Sequence, residues 1–405
     1  MTSSLAAFWL WTRPGSAAGV AVAAGVCLIL LAELRASRRR LVGAGLVLLG
    51  MLGAMMAQPF QRRPFDMGDY GNFVESRHAF HQHFDQLQFQ FHLGAAIVRG
   101  LDSAFGRTAH SPAQAFDTVA RLGSVVFVLG LLWLLHEHGF STRVLRYCAI
   151  VVVAPTTLLL FGYHEFGYLP QAFFAVAIPL ALIGLQQGRD GFVVAAAVLL
   201  GVGTALHGFG LVAVLFLVLL AFTWEYPSWR AIGRRLAQVA GGVVFGWLSW
   251  LALYFIAFDW TVVAGHANEQ PVRPLFQTTR SAGYHRFDYA IFSGKGLHEI
   301  LFEFLILGVF VSAVVLVLLA RDRLWRITVL ASLPVVAFVV LWWPVQGLGV
   351  DTDFLGAAFP SLYAVAWLAS TSRRVSLVAV VGLALCQAAM LIVVHGHAFQ
   401  HPQDF

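Results

Sequence analysis

Residues 118–136 read TVARLGSVVFVLGLLWLLH, and the only Asp, Glu, Lys or Arg among them is Arg121, near the start. A helix rises 1.5 Å per residue, so an apolar run of about 20 residues can cross the roughly 30 Å hydrocarbon core of a bilayer. Similar windows recur along the whole chain. Their apolar residues are continuous and lack the two-residue alternation of transmembrane barrel strands. The stretch therefore predicts one member of a set of transmembrane helices.

The composition also indicates a membrane protein. Of the 405 residues, 59% are hydrophobic and 11% are charged, whereas soluble domains have about 25% charged residues. The mean hydropathy is +0.77. We expect an all-α, polytopic membrane helix bundle of about twelve transmembrane helices, forming a single domain over residues 1–405. The predicted spans are 15–34, 41–59, 118–136, 143–162, 166–186, 191–206, 208–224, 237–258, 298–320, 325–343, 355–371 and 375–395.

Arginines in the short loops predict the orientation. Short cytoplasmic loops are enriched in Lys and Arg, and here such loops follow every second span. Their members are Arg35, Arg38, Arg39 and Arg40; Arg143 and Arg146; Arg189; Arg230, Arg234 and Arg235; Arg321, Arg323 and Arg326; and Arg373 and Arg374. This topology predicts a multi-pass protein of the cytoplasmic (inner) membrane. Two long loops, about 60–117 and 259–297, then face outward, and we expect the active face to be extracytoplasmic.

The net charge of +6 does not indicate a nucleic-acid partner, because the arginines cluster at helix ends and form no continuous basic stripe. We expect the protein's partners to include membrane lipids.

The first outer loop carries a carboxylate pair, Asp66 and Asp69, next to the end of a predicted span. One interpretation is structural: the carboxylates cap the start of a helix by accepting backbone N–H bonds. The other is functional: one of them acts as a general base that deprotonates an acceptor hydroxyl at the bilayer surface. From Phe73 onward the loop has an amphipathic pattern, which predicts interfacial helices in a structured loop. This part of the loop also includes Arg77, a candidate for binding substrate.

The same loop contains three closely spaced histidines, His78, His81 and His83. His78 and His81 would share a helix face, so a site for a divalent metal is one interpretation. Their spacing matches none of the standard metal motifs. The alternative is that these are interfacial histidines without a ligand. No cofactor is otherwise predicted, and a divalent metal is left open.

The second outer loop holds cations among aromatic residues, most densely in RSAGYHRFDY, residues 280–289. Arginine is well suited to bidentate contact with phosphate, so Arg280 and Arg286 are candidates for binding a lipid-linked phosphate. Tyr284 is a candidate for positioning a sugar. The alternative interpretation is that these arginines contact anionic lipid headgroups without specificity.

Three stretches resemble elements of one enzyme family. They are FDMGDYGNFVESRHAF from Phe65, LFGYHEFGYLPQAFF over 160–174 and VDTDFLGAAFPSLYA over 350–364. Together with the many spans and the large early loop, they resemble GT-C-type polytopic membrane glycosyltransferases. The first stretch is similar to the family's first-loop motif, in which an Asp or Glu acts as the base. This resemblance implies Asp66 or Asp69 as that base.

The other two stretches imply substrate-binding residues, namely Tyr163 and Glu165 in the second, and Asp351 and Asp353 in the third. Independently of the resemblance, an ionisable group such as Glu165 close to an apolar boundary is a functional candidate. The family transfers a sugar from a polyprenyl-phosphate carrier to an acceptor outside the cytoplasmic membrane. We therefore expect a polyprenyl-phosphate-linked sugar donor, a glycan, lipid or protein acceptor, and inverting transfer.

Other function classes remain alternatives. A transporter or flippase of a lipid-linked substrate would need ionisable groups at mid-membrane depth and two related halves. Another outer-face enzyme of lipids or polysaccharides, such as an acyltransferase or ligase, would use a histidine of the first outer loop as its base. A non-catalytic membrane subunit would use the outer loops as docking surfaces.

Overall fold

The computed structural model describes residues 17–35, 37–57, 93–108, 111–162, 169–207, 210–224, 228–257, 301, 308–320, 322–341 and 359–400. Within these ranges the chain is all-helical and contains no strand, as the sequence predicts. In chain order the helices are α1 (Ala17–Ala32), α2 (Ser37–Ala57), α3 (Leu93–Ala104), α4 (Ser111–Glu137), α5 (Thr142–Val153), α6 (Pro155–Gly162), α7 (Leu169–Gln187), α8 (Asp190–Leu206), α9 (Gly210–Thr223), α10 (Trp229–Ala257), α11 (Val309–Leu318), α12 (Arg323–Leu341), α13 (Phe359–Ala369) and α14 (Arg373–Gln400).

Three of the described helices are long and apolar enough to cross a membrane. The segments concerned are Arg38–Met56 in α2, Gln114–Glu137 in α4 and Leu169–Gln187 in α7. They give the protein the character of a membrane-associated chain. Each predicted window contains helix, although several of the described helices are shorter than the windows.

The predicted span 143–162 is divided into two helices, α5 and α6. Pro155 has no N–H to donate to the Val151 carbonyl, and it disfavours helical geometry at the preceding residue. Ala154 accordingly has φ −62° and ψ 139°. The Thr157 hydroxyl donates to Val151 O at 2.7 Å, which replaces the bond that proline cannot make.

Helix α7 lies at the centre of the bundle, and α2 lies at its edge. Of the apolar window of α7, 83% is buried inside the protein, compared with 22% for that of α2. Helix α7 packs against α4, α8 and α13. Helix α2 packs against α4 and α1. Helix α1 also packs against α5, and α5 packs against α14. Residues at the two ends of α7 are therefore well placed to contact several other helices.

Glycines allow α8 and α10 to approach closely. A Cβ added to Gly246 of α10 would collide with the carbonyl oxygen of Val198, and one added to Gly201 of α8 would collide with that of Val243. A Cβ at Gly242 would come within 2.7 Å of Ala197 Cβ. Gly242 and Gly246 are four residues apart, which is the small-xxx-small pattern that brings helix backbones together in membranes.

The short arginine-bearing loops lie together at one end of the bundle, which we call the arginine end. Arg146 Nη2 is 2.9 Å from Glu33 Oε1, and Arg373 Nη1 is 3.8 Å from Glu33 Oε2. These two ion pairs join the loop after α1 to the first turns of α5 and α14. The hydrogen bond from Arg146, reinforced by the nearby arginines, holds the pKa of the Glu33 carboxyl below its usual value.

The remaining arginine loops belong to the same end. Arg143 Nη1 donates to Gln186 Oε1 at 3.3 Å, and the charge of Asp322 acts on Arg143 from the loop after α11. Arg235 Nη2 lies 2.8 Å from Asp190 Oδ1. A hydrogen bond from Gln238, together with the charge of Arg235, lowers the pKa of the Asp190 carboxyl. The side of a membrane that these loops face stays a prediction.

Candidate functional site

The residues that the sequence singles out lie outside the described parts of the chain. They are Asp66, Asp69, Arg77, His78, His81, His83, Tyr163, Glu165, Arg280, Tyr284, Arg286, Asp351 and Asp353. Their roles remain predictions. The described helices do place the points where these segments leave and re-enter the bundle. We call the end of the bundle that carries these points the loop-root end, and it is opposite the arginine end.

The two ends of the first outer loop lie next to each other. The loop leaves α2 after Ala57 and ends where α4 begins. Arg121 Nη1 on α4 donates to the carbonyl oxygen of Met56 at 3.2 Å, and Arg121 Nε donates to Asp117 Oδ2 at 2.8 Å. The chain segment with Asp66 and Asp69 therefore begins beside an arginine–aspartate pair.

Helix α3 belongs to the first outer loop and packs against α4, α8 and α10. Asp102, on α3, is completely buried, and its carboxylate accepts a hydrogen bond from the Ser111 hydroxyl at the first residue of α4. This contact attaches α3 to the start of α4. Helix α3 thus contacts α10, the helix after which the second outer loop begins.

Leu160 and Leu169, in the described parts of the second quoted stretch, lie against α4. A Cβ at Gly123 of α4 would be 2.9 Å from Leu169 Cδ2 and 3.6 Å from Leu160 Cδ1. Leu160 is near the end of α6, and Leu169 is the first residue of α7. The segment that carries Tyr163 and Glu165 thus leaves and re-enters the bundle beside the helix that follows the first outer loop.

A buried hydrogen bond joins the second quoted stretch to the third. The Tyr363 hydroxyl of α13 donates to Gln171 Oε1 of α7 at 3.3 Å, and both residues are only 1% exposed. The buried Thr156 hydroxyl approaches that of Tyr363 without forming a hydrogen bond. Gln171 Nε2 is buried and has no hydrogen-bond partner. The described parts of stretches 160–174 and 350–364, far apart in sequence, therefore meet at this hydrogen bond.

The structure identifies three polar residues at the loop-root end that the sequence did not single out: Arg121, Gln171 and Tyr363. The signal for Arg121 was a lone arginine inside an apolar window, which is costly in a membrane and therefore informative. Gln171 and Tyr363 lie within the quoted stretches, but neither residue type is distinctive there. Only their mutual contact, in an apolar interior, separates them from ordinary helix residues.

The described residues contain no group of three or more His, Cys, Asp or Glu side chains arranged to hold a metal ion. The histidines proposed as metal ligands lie outside the described residues, so the metal site remains a prediction. What the loop-root end offers, in the described part, is the Arg121–Asp117 ion pair and the buried Tyr363–Gln171 hydrogen bond. Such a surface can position loops and present hydrogen-bond donors to a polar substrate.

Comparison with models of known protein families gave no match, and comparisons with characterised proteins and with solved structures gave none either. A function for this chain has to be argued from its residues and from the way its helices bring them together.

Proposed function

We propose that this protein is a GT-C-type glycosyltransferase that moves a sugar from a polyprenyl-phosphate carrier to an acceptor on the extracytoplasmic face. The observation that carries the proposal is the buried Tyr363–Gln171 hydrogen bond. It joins two of the three stretches on which the family resemblance depends. The remaining stretch, which starts at Phe65, belongs to the loop that leaves α2 beside α4, and α4 packs directly against α7. Convergence of distant polar segments on one end of a bundle is what an active site requires.

In this proposal the reaction is a single displacement with inversion. The carboxylate of Asp66 or Asp69 removes the proton from the acceptor hydroxyl. The hydroxyl oxygen forms a bond to the anomeric carbon as the bond from that carbon to the carrier phosphate breaks. The polyprenyl phosphate leaves with the electron pair, and the carboxyl retains the proton until solvent removes it. Every atom is accounted for without a further reactant.

The leaving phosphate needs positive charge where negative charge develops. Arg280 and Arg286 would provide it, because fixed cations in a site that excludes water stabilise a departing phosphate strongly. The remaining candidates would hold the sugar, the acceptor and the head of the carrier. They are Arg77, Tyr163, Glu165, Tyr284, Asp351 and Asp353. The carrier's polyprenyl chain would stay in the bilayer beside the loop-root end.

The proposed topology follows the same division. The arginine end faces the cytoplasm, the loop-root end faces outward, and about twelve helices cross the inner membrane. The acidic side chains in the described ranges favour chemistry at a membrane face over coupled transport through the membrane. They lie within about two turns of a helix end or in a loop. They are Glu33, Asp102, Asp117, Glu137, Asp190 and Asp322.

The decisive experiment measures sugar transfer by the full chain in lipid nanodiscs. A panel of polyprenyl-phosphate sugars would be supplied, and the release of free polyprenyl phosphate followed. We expect Asp66→Asn or Asp69→Asn to reduce transfer by about 10²–10⁴-fold, the usual contribution of a general base. Glu137→Gln is the matched control, because it removes an exposed carboxylate at the arginine end.

A milder variant tests the observation that carries the proposal. Tyr363→Phe removes the hydroxyl that bonds Gln171 and leaves the ring in place, at a cost of about 1 kcal/mol in stability. We expect slower transfer with the protein still folded. Full activity in both aspartate variants would overturn the proposed mechanism. Movement of the carrier across vesicles without sugar transfer would favour the transporter alternative.

A further inference from the structure

Arg143, the second residue of α5, lies at the arginine end with two of its nitrogen atoms unused. Its guanidinium carbon sits 4.0 Å from the centroid of the Trp367 ring. Its Nη1 atom donates to Gln186 Oε1 at 3.3 Å. Nε and Nη2 are buried and have no hydrogen-bond partner. A guanidinium has five N–H donors in a planar fork and no acceptor, so this arrangement leaves one edge of the fork without an acceptor.

Trp367 contributes a further donor beside this guanidinium. The residue is 2% exposed, and its Nε1 atom is buried without a partner. Tyr147 packs against the indole edge-to-face, with the ring centroids 5.7 Å apart, but its hydroxyl already donates to the Ala175 carbonyl. The neighbouring Arg146, three residues from Arg143 on α5, also has a buried Nε without a partner. The atoms of Arg143, Arg146 and Trp367 that lack a hydrogen-bond partner are therefore all donors.

The nearby carboxylates do not supply the missing acceptor. Glu33 is shared by Arg146 at 2.9 Å and Arg373 at 3.8 Å. Asp322 attracts Arg143 by its charge but forms no ion pair with it within 4.0 Å. At the same end, by contrast, Arg235 has Asp190 at 2.8 Å. Among the described residues, Arg143 therefore has no carboxylate within ion-pair distance.

We propose that Arg143, Arg146 and Trp367 form a binding site for a phosphate group, the headgroup phosphate of an anionic membrane lipid. A phosphate supplies acceptor oxygens and negative charge together, and its geometry suits the edge of a guanidinium. Arg143 is partly exposed, so a headgroup would approach from that side, and binding would require the guanidinium to turn its buried Nε and Nη2 toward the phosphate. Tryptophan and arginine at the end of apolar helices are the residues that meet lipid headgroups.

The test uses the full chain purified in a neutral detergent, with phosphatidylglycerol titrated in and retained lipid counted by native mass spectrometry. We expect saturable retention by the natural protein. Arg143→Gln should bind about ten-fold or more weakly, since it removes a charge-assisted bond, and Trp367→Phe about five-fold more weakly. The control is Arg374→Gln, which removes an exposed arginine from the same end and should bind as the natural protein does.

Two further arms separate the possible sources and protect the test against misfolding. Inorganic phosphate is added to protein in phosphatidylcholine nanodiscs; if it raises thermal stability as much as phosphatidylglycerol does, the lipid assignment is wrong. Arg143→Lys keeps the charge and loses the fork, so it should bind more weakly than the natural protein even if Arg143→Gln does not fold. Unchanged lipid binding by both Arg143→Lys and Trp367→Phe would overturn the proposal.

Discussion

The polar side chains at the two ends of the bundle form different kinds of contact. At the arginine end, charged side chains from several loops compensate one another, as in Asp190 with Arg235 and Glu33 with Arg146. At the loop-root end, the contact between α7 and α13 is a buried hydrogen bond between neutral side chains, Gln171 and Tyr363. The charged groups described there bond close by in the sequence, Asp102 with Ser111 and Arg121 with Asp117. Ion pairs thus join separate parts of the chain at the arginine end, whereas a neutral hydrogen bond joins α7 to α13 at the loop-root end.

The difference follows from what each kind of contact costs. Partly exposed ion pairs keep some hydration, so several of them can gather at one end without a large desolvation penalty. A neutral hydrogen bond can be buried completely at much lower cost than a charge. The Gln171–Tyr363 pair can therefore lie deep between helices without the desolvation penalty of a buried charge. Substitutions that act on both ends, or on one end only, test this division.

The largest effect is expected from Gly246→Ala, which strains the α8–α10 crossing that connects the two ends. The added methyl group would collide with the Val198 carbonyl oxygen, so the helices must separate. Overpacking of this kind costs about 1–3 kcal/mol or more. We expect a lower free energy of unfolding in mixed micelles, and looser packing at both the Asp190–Arg235 contact and α3.

Gly241→Ala is the control for that variant, because no atom lies within 4 Å of a Cβ added at Gly241. Alanine is a better helix former than glycine by about 1 kcal/mol, so this variant should be as stable as the natural protein or more so. Equal stability of the two variants would mean that the close crossing of α8 and α10 contributes little.

An intermediate effect, confined to the arginine end, is expected from Asp190→Ala. The change removes the carboxylate 2.8 Å from Arg235, whose side chain is 8% exposed, and also the acceptor of the Gln238 bond at 2.9 Å. Because the Asp190 side chain is 38% exposed and its ion pair is screened by solvent, we expect a loss of about 1 kcal/mol. Chemical denaturation in micelles would measure the loss, and Glu137→Ala, at an exposed carboxylate, should show little change.

The Asp190 contribution also has a predicted dependence on pH. Its pKa is lowered in the folded state, chiefly by the Gln238 hydrogen bond and the neighbouring arginines. The stabilisation is therefore present above the pKa of the unfolded chain, about 3.9, and is lost as the pH falls through the lower folded-state value. The difference between Asp190→Ala and the natural protein should disappear in strong acid.

Periodicity and apolar length were sufficient to predict an all-helical chain and the shared end of its arginine loops. They were not sufficient to predict helix limits. Apolar residues continue through Ala154 and Pro155, so hydropathy predicts one span where the structure has α5 and α6. Pro155 ends α5. At the start of α4 the helix begins at Ser111, several residues before the apolar window, because amphipathic turns extend it into the loop.

The candidate site was less accessible to sequence reasoning. Tyr363 and Gln171 are 192 residues apart, and neither residue has a pattern that identifies its partner. Their pairing depends on α7 lying against α13, which is a property of the packed bundle. The carboxylates and arginines of the long loops were easier to choose, since charge beside a membrane is rare and costly.

The smallest effect is expected from His138, which lies next to α4 at the arginine end. Its Nε2 atom is buried without a partner, and its ring meets Phe192 edge-on with the centroids 5.8 Å apart. Burial lowers the pKa of His138, assisted by Arg189 and opposed by Glu137. The folded state thus favours the neutral ring, and stability should decline as the pH falls below the unfolded value of about 6.5. His138→Phe should reduce the difference in melting temperature between pH 7.5 and pH 5.5, while His136→Phe, at an exposed position, should leave it unchanged. If His138→Phe shows the same acid sensitivity as the natural protein between pH 7.5 and pH 5.5, that sensitivity does not arise from His138.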